Sequence, residues 1–287
     1  MPGSLIAQAS GLLAVLLGLS LVYLLIRAFW EPTLLEITQI DSSHYGRENA
    51  TGEQVQPALR VLLFSDIHAE HLRLSDQRLV EAMVQAKPDL LLFAGDLTAK
   101  THALPRALGL ISRIRTHPDL SACPFFAVPG NHDTPEVRAQ LRKLGVPILV
   151  NQTVAVDWHG QSWLIMGLDD LRHGKPDFSK IYTEAALSAV PVNRRIILAH
   201  NPDCLDELEP NQACWFMGGH FHGGQIWAPF QLEFRLLRSE KLPRTGYYKG
   251  AQLRRSMNAY ISRGLGCVAI PLRLFSKPEL TLFLLRD

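Results

Sequence analysis

The stretch RVLLFSDIH, residues 60–68, joins an apolar run of strand length to a carboxylate and an imidazole directly after it. Four further apolar runs along the chain also end in a carboxylate, an imidazole or a carboxamide. They are DLLLFAGD (89–96), CPFFAVPGNHD (123–133), RRIILAHN (194–201) and CWFMGGHFH (214–222). Short apolar runs bounded by Gly, Pro and polar residues are typical of buried strands. The repeated pattern therefore predicts a sheet with polar groups at the ends of its strands.

Between these runs the chain contains amphipathic stretches, and this alternation is typical of an α/β fold. The predicted strands are Arg60–Phe64, Asp89–Phe93, Pro124–Val128, Arg195–Ala199 and Cys214–Met217. The pattern predicts a helix over Ser75–Lys87 and another over Pro135–Lys143, which Gly145 closes. Residues 148–168 and 247–285 are expected to be richer in β-structure. No linker divides residues 59–287, so we expect one domain there.

The composition excludes several classes of protein. The chain has 287 residues, of which 47% are hydrophobic and 20% charged, and its formal net charge is +2. These values exclude a disordered chain, a collagen, a small disulfide scaffold and a polytopic transporter. The near-neutral charge gives no sign of nucleic-acid binding, so no nucleic-acid partner is expected. The sequence also contains no P-loop, no G-x-S-x-G elbow and no G-x-G-x-x-G after a strand.

The first 30 residues are predicted to be a membrane anchor. Leu5–Ile26 is uncharged, and as a helix it would be about 33 Å long, enough to cross a hydrocarbon core of about 30 Å. A cleaved signal peptide is the alternative, but the run exceeds the usual apolar core of about 7–15 residues and no Lys or Arg precedes it. Residues 31–58 are predicted to be a connector that contains a first strand, Leu34–Ile40.

The orientation of this anchor is predicted from its flanks. Arg27 follows the apolar run and no basic residue precedes it, which favours a cytoplasmic catalytic domain. The four cysteines show no CxxC and no disulfide-like spacing, in agreement with a reducing compartment. We therefore expect a single-pass protein of the inner (cytoplasmic) membrane.

The polar groups at the strand ends predict a metal site. In open α/β sheets, ligands bind beyond the carboxyl ends of the strands. Seven candidate metal ligands would meet there: Asp66, His68, Asp96, Asn131, His200, His220 and His222. Oxygen and nitrogen donors without a thiolate suit Mn, Fe or Zn. Seven donors exceed the need of one tetrahedral ion, so we expect two divalent ions that share a carboxylate and activate a water.

At these residues the chain resembles the calcineurin-like metallophosphoesterase superfamily. Its motifs are Asp-x-His, Gly-Asp, Gly-Asn-His-Asp/Glu, His and Gly-His-x-His, and all occur here in that order. The strings HFHGGQ (220–225) and SRGLG (262–266) resemble the membrane-anchored bacterial branch. That branch includes phosphodiesterases and a hydrolase of UDP-2,3-diacylglucosamine in lipid A synthesis. The resemblance implies a four-layer α/β/β/α sandwich that hydrolyses a phosphodiester or pyrophosphate bond of a phosphoester, and the membrane-anchored branch implies a lipid-linked substrate.

The resemblance also implies a role for each residue. One ion would take Asp66, His68, Asp96 and His222, and the other Asp96, Asn131, His200 and His220, with Asp96 bridging. His132 would contact the phosphate and protonate the leaving oxygen. Asp133 would be a second catalytic residue that orients His132 or a ligand; a role at the start of the helix beside Pro135 is the alternative.

Two further alternatives concern the activity. Protein Ser/Thr phosphatases of this superfamily carry Gly-Asp-x-x-Asp-Arg-Gly, whereas residues 95–101 read GDLTAKT, which argues against a protein phosphatase. A phosphomonoesterase and a non-catalytic scaffold of the same fold remain alternatives.

Residues 231–255 contain seven basic and two acidic residues with apolar residues between them. This segment is either a solvated strand pair or a cationic amphipathic rim at a membrane surface.

Overall fold

The computed structural model of the chain describes residues 2–44, 58–236 and 238–286. The helices are α1 (Pro2–Trp30), α2 (Asp76–Ala86), α3 (Leu104–Thr116), α4 (Pro135–Lys143), α5 (Phe178–Ile181), α6 (Glu184–Ala189) and α7 (Leu232–Leu236). The strands are β1 (Glu36–Asp41), β2 (Leu59–Phe64), β3 (Leu90–Phe93), β4 (Phe125–Ala127), β5 (Gln152–Trp158), β6 (Gln161–Gly167), β7 (Arg195–Leu198), β8 (Trp215–Gly218), β9 (Gly250–Arg254), β10 (Met257–Ile261) and β11 (Glu279–Leu285). The polar turns predicted over residues 45–56 lie outside the described residues.

The strands form two sheets. One has the order β1-β11-β2-β3-β4, and the other has the order β5-β6-β7-β8-β10-β9. Strands β2, β3 and β4 are parallel, and so are β6, β7, β8 and β10. Because parallel neighbours end at the same edge, the polar motifs that follow them are collected on one side of each sheet.

Three apolar cores show how the sheets are layered. Leu62 and Phe64 of β2 face a core shared with α2, α3 and α4. Their neighbours Val61 and Leu63 point the other way, because side chains alternate along a strand, and pack against the second sheet. The third core lies between the second sheet and the short helices α5 to α7. The predicted four-layer α/β/β/α sandwich is therefore confirmed.

The predicted helices begin at capping residues. The Ser75 hydroxyl accepts a hydrogen bond from the backbone N–H of Arg78 at the start of α2, and Thr134 does the same for Val137 at the start of α4. Gly145 follows α4 with a positive φ of 75°, which glycine adopts without steric cost. The sequence patterns did not predict α3 or the short helices α5 to α7.

The N-terminal helix α1 leads directly into the domain. The chain from Gln8 to Thr33 includes an 18-residue window with a mean hydropathy of 2.4, and none of that window is buried in the structure. This is one helix long and apolar enough to cross a membrane, near the N-terminus, where signal sequences have the same character. The domain boundaries at residues 30 and 58 stay a prediction.

Candidate metal centre

The seven candidate ligands meet where the two sheets face each other. Asp66 and His68 follow β2, Asp96 follows β3 and Asn131 follows β4, all on the first sheet. His200 follows β7, and the pair His220 and His222 follows β8, on the second sheet. All are buried except Asn131, which is half-buried. The centre is therefore shared by both sheets, and neither sheet alone contains it.

Two groups of three residues each bring their donor atoms close enough to hold an ion. The first group is Asp66, His68 and His222, and the second is Asp96, His200 and His220. In the first, His222 Nε2 lies 3.3 Å from Asp66 Oδ1. In the second, His200 Nε2 lies 3.0 Å from His220 Nδ1 and 3.1 Å from Asn131 Oδ1. Asn131 therefore belongs with the second group.

One oxygen of Asp96 connects the two groups. Asp96 Oδ2 lies 3.4 Å from His68 Nε2 and 3.3 Å from His200 Nε2. Within the described residues, His68 Nε2 is buried and has no hydrogen-bond partner. A buried polar nitrogen without a partner lowers the stability of the fold unless another group binds it. A divalent ion would satisfy this nitrogen, and the donors around it are those that such ions bind. The residues present thus fit two ions bridged by Asp96.

Backbone strain is concentrated at these residues. Five of them adopt left-handed φ angles: Asp66 (51°), His68 (38°), Asp96 (62°), His220 (70°) and His222 (52°). Such angles are unusual outside glycine and cost of order 1–3 kcal/mol each, and strained residues cluster at functional sites. The turns after the strands therefore aim the side chains inward at some cost in stability.

Two glycines allow these turns to approach each other. A Cβ atom on Gly130 would overlap the Asp96 carboxylate, and one on Gly219 would overlap that of Asp66. The Asp66 carboxylate also accepts a hydrogen bond from the His220 N–H at 3.0 Å. The Gly-Asn-His and Gly-His-x-His motifs therefore need glycine because of packing against the two carboxylates.

Two glutamates that the sequence patterns did not single out support the imidazoles. Glu240 Oε1 lies 3.0 Å from His220 Nε2, and Glu70 Oε1 lies 3.5 Å from His68 Nδ1. A carboxylate on the far nitrogen of a ligating histidine fixes its tautomer and raises its basicity. The only sequence signal for Glu70 is its position two residues after His68. Glu240 lies 18 positions after His222, the last candidate ligand. Its only distinguishing feature in the sequence is that it is one of two acidic residues in the basic segment 231–255.

Asp133 makes backbone contacts that the sequence patterns did not predict. Its carboxylate accepts hydrogen bonds from the backbone N–H groups of Asp96, Leu97 and Gly130, each at 2.8 Å. Burial, followed by the nearby charge of Asp96, raises the pKa of Asp133 to about 6. Thr134, not Asp133, caps α4. The alternative role at the start of α4 is therefore wrong, and Asp133 holds the turn that carries Asp96. Its predicted catalytic role stays a prediction.

The electrostatics show a centre that requires cations. Burial lowers the pKa of His68 and of His200, but the nearby carboxylates, Asp96 above all, outweigh it and raise both pKa values to about 10. Burial lowers the pKa of His222 to about 4, despite the charge of Asp66. Imidazole binds a metal only in its neutral form, so an ion would displace the protons that otherwise balance the carboxylates.

A cleft of about 660 Å³ opens over the centre. His132 is half-buried and lines the floor of this cleft, and its ring centroid lies 5.3 Å from that of His68. The backbone N–H of His132 donates to Asp96 Oδ1 at 2.9 Å. Burial lowers the pKa of His132, which keeps this imidazole neutral at pH 7. The opposite side, named here the apolar wall, consists of Ile226, Ala228, Leu232, Leu236, Val268, Ala269 and Ile270. A polar floor therefore faces a hydrophobic wall.

The basic segment 231–255 is not a strand pair. Only Gly250–Arg254 forms a strand, and residues 232–236 are the helix α7. Arg238 contacts Glu240 and Glu233, and Arg254 contacts Asp206. Arg255 and Lys249 donate to backbone carbonyls of Leu208 and Phe275 respectively. Arg244 donates to the Arg238 carbonyl at 3.1 Å. Five of the seven basic side chains therefore have intramolecular partners.

Comparisons with known proteins agree with this geometry. Residues 59–224 match the calcineurin-like phosphoesterase family. The chain is 30% identical over 240 residues to the metallophosphoesterase YkuE of Bacillus subtilis, which covers 79% of each protein. It is 27% identical over 237 residues to the phosphodiesterase YaeI of Escherichia coli, covering 78% of this chain and 80% of that one. A transmembrane protein with a metallophosphoesterase domain from Danio rerio is 28% identical over 80% of this chain and 53% of its own length. The chain belongs to the calcineurin-like metallophosphoesterases, which are metal-dependent hydrolases of phosphoric esters.

Proposed function

We propose that this chain is a membrane-anchored, two-metal hydrolase of a phosphodiester or pyrophosphate bond in a lipid-linked substrate. The observation that carries the proposal is the cleft, because a buried set of metal donors forms one side and the apolar wall forms the other. A water-soluble phosphoester would leave this wall exposed to solvent, whereas an acyl chain would cover it.

The ligand assignment follows the two groups. Asp66, His68, Asp96 and His222 would hold one ion, and Asp96, Asn131, His200 and His220 the other. Two divalent ions of this kind clamp phosphoryl oxygens and activate a water, and the donors suit Mn, Fe or Zn.

The remaining residues of the cleft would act on the substrate. His132 is half-buried on the cleft beside the centre, so it is placed to contact the phosphate. The negative charge of a bound phosphate would favour its protonated form, and the imidazolium would then donate a proton to the leaving oxygen. Arg172 lies on the cleft with its guanidinium 3.6 Å from Glu240, and its side chain is half-exposed. It would bring positive charge to the second phosphate of a pyrophosphate substrate.

The resemblance to the membrane-anchored branch suggests UDP-2,3-diacylglucosamine as the first substrate to test. This molecule combines a pyrophosphate, a nucleoside and two acyl chains, which match the floor and the wall of the cleft. Helix α1 would hold the domain on the cytoplasmic side of the inner membrane. The basic residue Arg27 at the end of the apolar run favours this orientation.

The test is a substrate panel with the full chain in detergent micelles, loaded with Mn and separately with Zn. The panel contains bis-p-nitrophenyl phosphate, p-nitrophenyl phosphate and UDP-2,3-diacylglucosamine. We expect about two ions per chain, cleavage of the diester in preference to the monoester, and release of UMP. Far fewer than two ions per chain and no hydrolysis would instead identify a scaffold. Equal turnover of soluble and acylated substrates would overturn the lipid-linked assignment.

A further inference from the structure

Three aromatic side chains outside the cleft are exposed on one side of it. Trp227, Phe230 and Phe275, named here the aromatic rim, have exposed fractions of 48%, 81% and 42%. The rings of Trp227 and Phe275 contact each other edge to face, with centroids 5.9 Å apart. Trp227 and Phe230 bracket Ala228, which belongs to the apolar wall. The rim therefore continues the hydrophobic surface of the cleft outward.

The aromatic rim contacts the end of α1. The Arg27 guanidinium lies over the Phe275 ring at 4.6 Å from its centroid. The backbone N–H of Arg273 donates to the Ala28 carbonyl at 3.1 Å, and the N–H of Ser276 donates to the buried Glu31 carboxylate. The segment 273–276 is thus bonded to the helix end.

The same segment is also fixed to the metal centre. The Ser276 hydroxyl donates to the His222 carbonyl at 2.7 Å. The fully buried Arg273 side chain donates to the Ser276 carbonyl at 2.9 Å and to that of Gly266. Helix end, rim and centre therefore form one connected unit, so the position of α1 determines which way the cleft opens.

The position of the rim along the membrane normal follows from α1. If Leu5–Ile26 crosses the hydrocarbon core, Arg27 lies in the headgroup layer, which is roughly 5–7 Å thick on each side. The Phe275 ring is stacked against the Arg27 guanidinium, and Trp227 contacts Phe275. Trp30 and Phe29, in the last turn of α1, are exposed at the same level. Aromatic side chains concentrate at this depth, because their rings are partly apolar and partly polar.

We propose that the aromatic rim inserts into the leaflet at which α1 ends. The cleft then opens at the bilayer surface and takes an amphiphilic phosphoester sideways from the membrane, with its acyl chains along the apolar wall. This inference rests on the proposed anchoring and names the partner as a phospholipid monolayer.

The first test places the full chain in nanodiscs whose phosphatidylcholine carries brominated acyl chains, which quench nearby tryptophans. The chain has five tryptophans, so the contribution of Trp227 is read from Trp227→Phe. The control is Trp158→Phe, a half-buried tryptophan at the tip of the β5–β6 hairpin. We expect Trp227→Phe to remove part of the quenching and Trp158→Phe to remove none. Equal quenching in Trp227→Phe and the unaltered chain would overturn the insertion.

The second test separates insertion from chemistry. Phe230→Ser is expected to lower turnover of a vesicle-embedded acylated substrate about tenfold, because a ring no longer partitions into the leaflet. Its hydrolysis of bis-p-nitrophenyl phosphate should not change. The control Leu253→Ser alters a side chain that is 71% exposed on the edge strand β9 and does not belong to the aromatic rim. Loss of both activities in Phe230→Ser, or a change in oligomeric state, would contradict insertion. Absence of hydrolysis in the unaltered chain would instead contradict the proposed function and leave the quenching result valid.

Discussion

The two sides of the cleft are built differently. The polar floor comes from turns that follow five strands, with five strained residues and nearly complete burial. The apolar wall comes from the loops at 226–228 and 268–270 and from the five-residue helix α7, and Leu236 there is 74% exposed. Reacting groups need fixed positions, because small displacements reduce rates strongly. A hydrophobic surface is non-directional and needs only area. The difference suggests that the floor determines the reaction and the wall determines the substrate.

The strongest test of the floor is Asp96→Asn. This change removes the negative charge next to both His68 and His200, and so weakens both ion sites together. We expect hydrolysis of every substrate, soluble or acylated, to fall by more than the roughly 10–100-fold that outer partners of a metal site contribute. Metal content should fall with it, as measured by elemental analysis of the purified chain. Full activity in this variant would refute the two-ion centre.

A smaller effect is expected from Glu240→Gln, which weakens the carboxylate contact to His220 Nε2. Loss of such a partner typically costs 10–100-fold in metal affinity or activity, so we expect a loss of about tenfold. Titration of the second ion into the apo-protein measures the effect. The matched control is Glu233→Gln. Glu233 lines the same cleft, and its Oε1 lies 3.7 Å from the guanidinium of the same Arg238. Equal losses in both variants would mean that Glu240 acts only through Arg238.

The wall is tested by Leu236→Ser. We expect KM for an acylated substrate to rise about tenfold, because one apolar contact with the acyl chain is lost. The kcat for that substrate should change little, because the floor is intact. The control is Leu253→Ser, which replaces a similarly exposed leucine on β9 and so measures the effect of a serine at an exposed position away from the wall. An equal fall in kcat would show that the wall also positions the reacting bond.

The smallest effect is expected far from the cleft, where β1 meets the residue after β11. A hydrogen bond from Arg286 lowers the pKa of Asp41 to about 2. Because this folded-state pKa lies below the unfolded value of about 3.9, the pair stabilises the fold above that pH and loses its effect as the pH falls toward 2. Asp41→Asn should lower the free energy of unfolding at pH 7 by less than about 1 kcal/mol. Chemical denaturation between pH 2 and pH 7 should show a shallower acid dependence in the variant, and an unchanged dependence would exclude the pair as a contributor.

The strand ends were predictable because their signal is local. Each buried run and its polar motif occupy fewer than a dozen consecutive residues, and parallel pairing collects such motifs at one edge. The same reasoning could not locate Glu240, because its link to His220 depends on how the chain returns between β8 and β9. It also could not find the contacts of Asp133, because the sequence alone does not show that this carboxylate accepts hydrogen bonds from three backbone N–H groups.

The sequence by itself determined the α/β class, the apolar N-terminal helix and the set of candidate metal ligands, since each depends on residue type and short-range order. Only the tertiary structure decided how the donors divide into two groups around Asp96, because that division crosses between the sheets. His200 Nδ1, for example, lies 2.7 Å from the carbonyl of Ala94, 106 positions earlier in the chain. The apolar wall and the aromatic rim were likewise decided by folding, because loops distant in sequence meet there to form one surface.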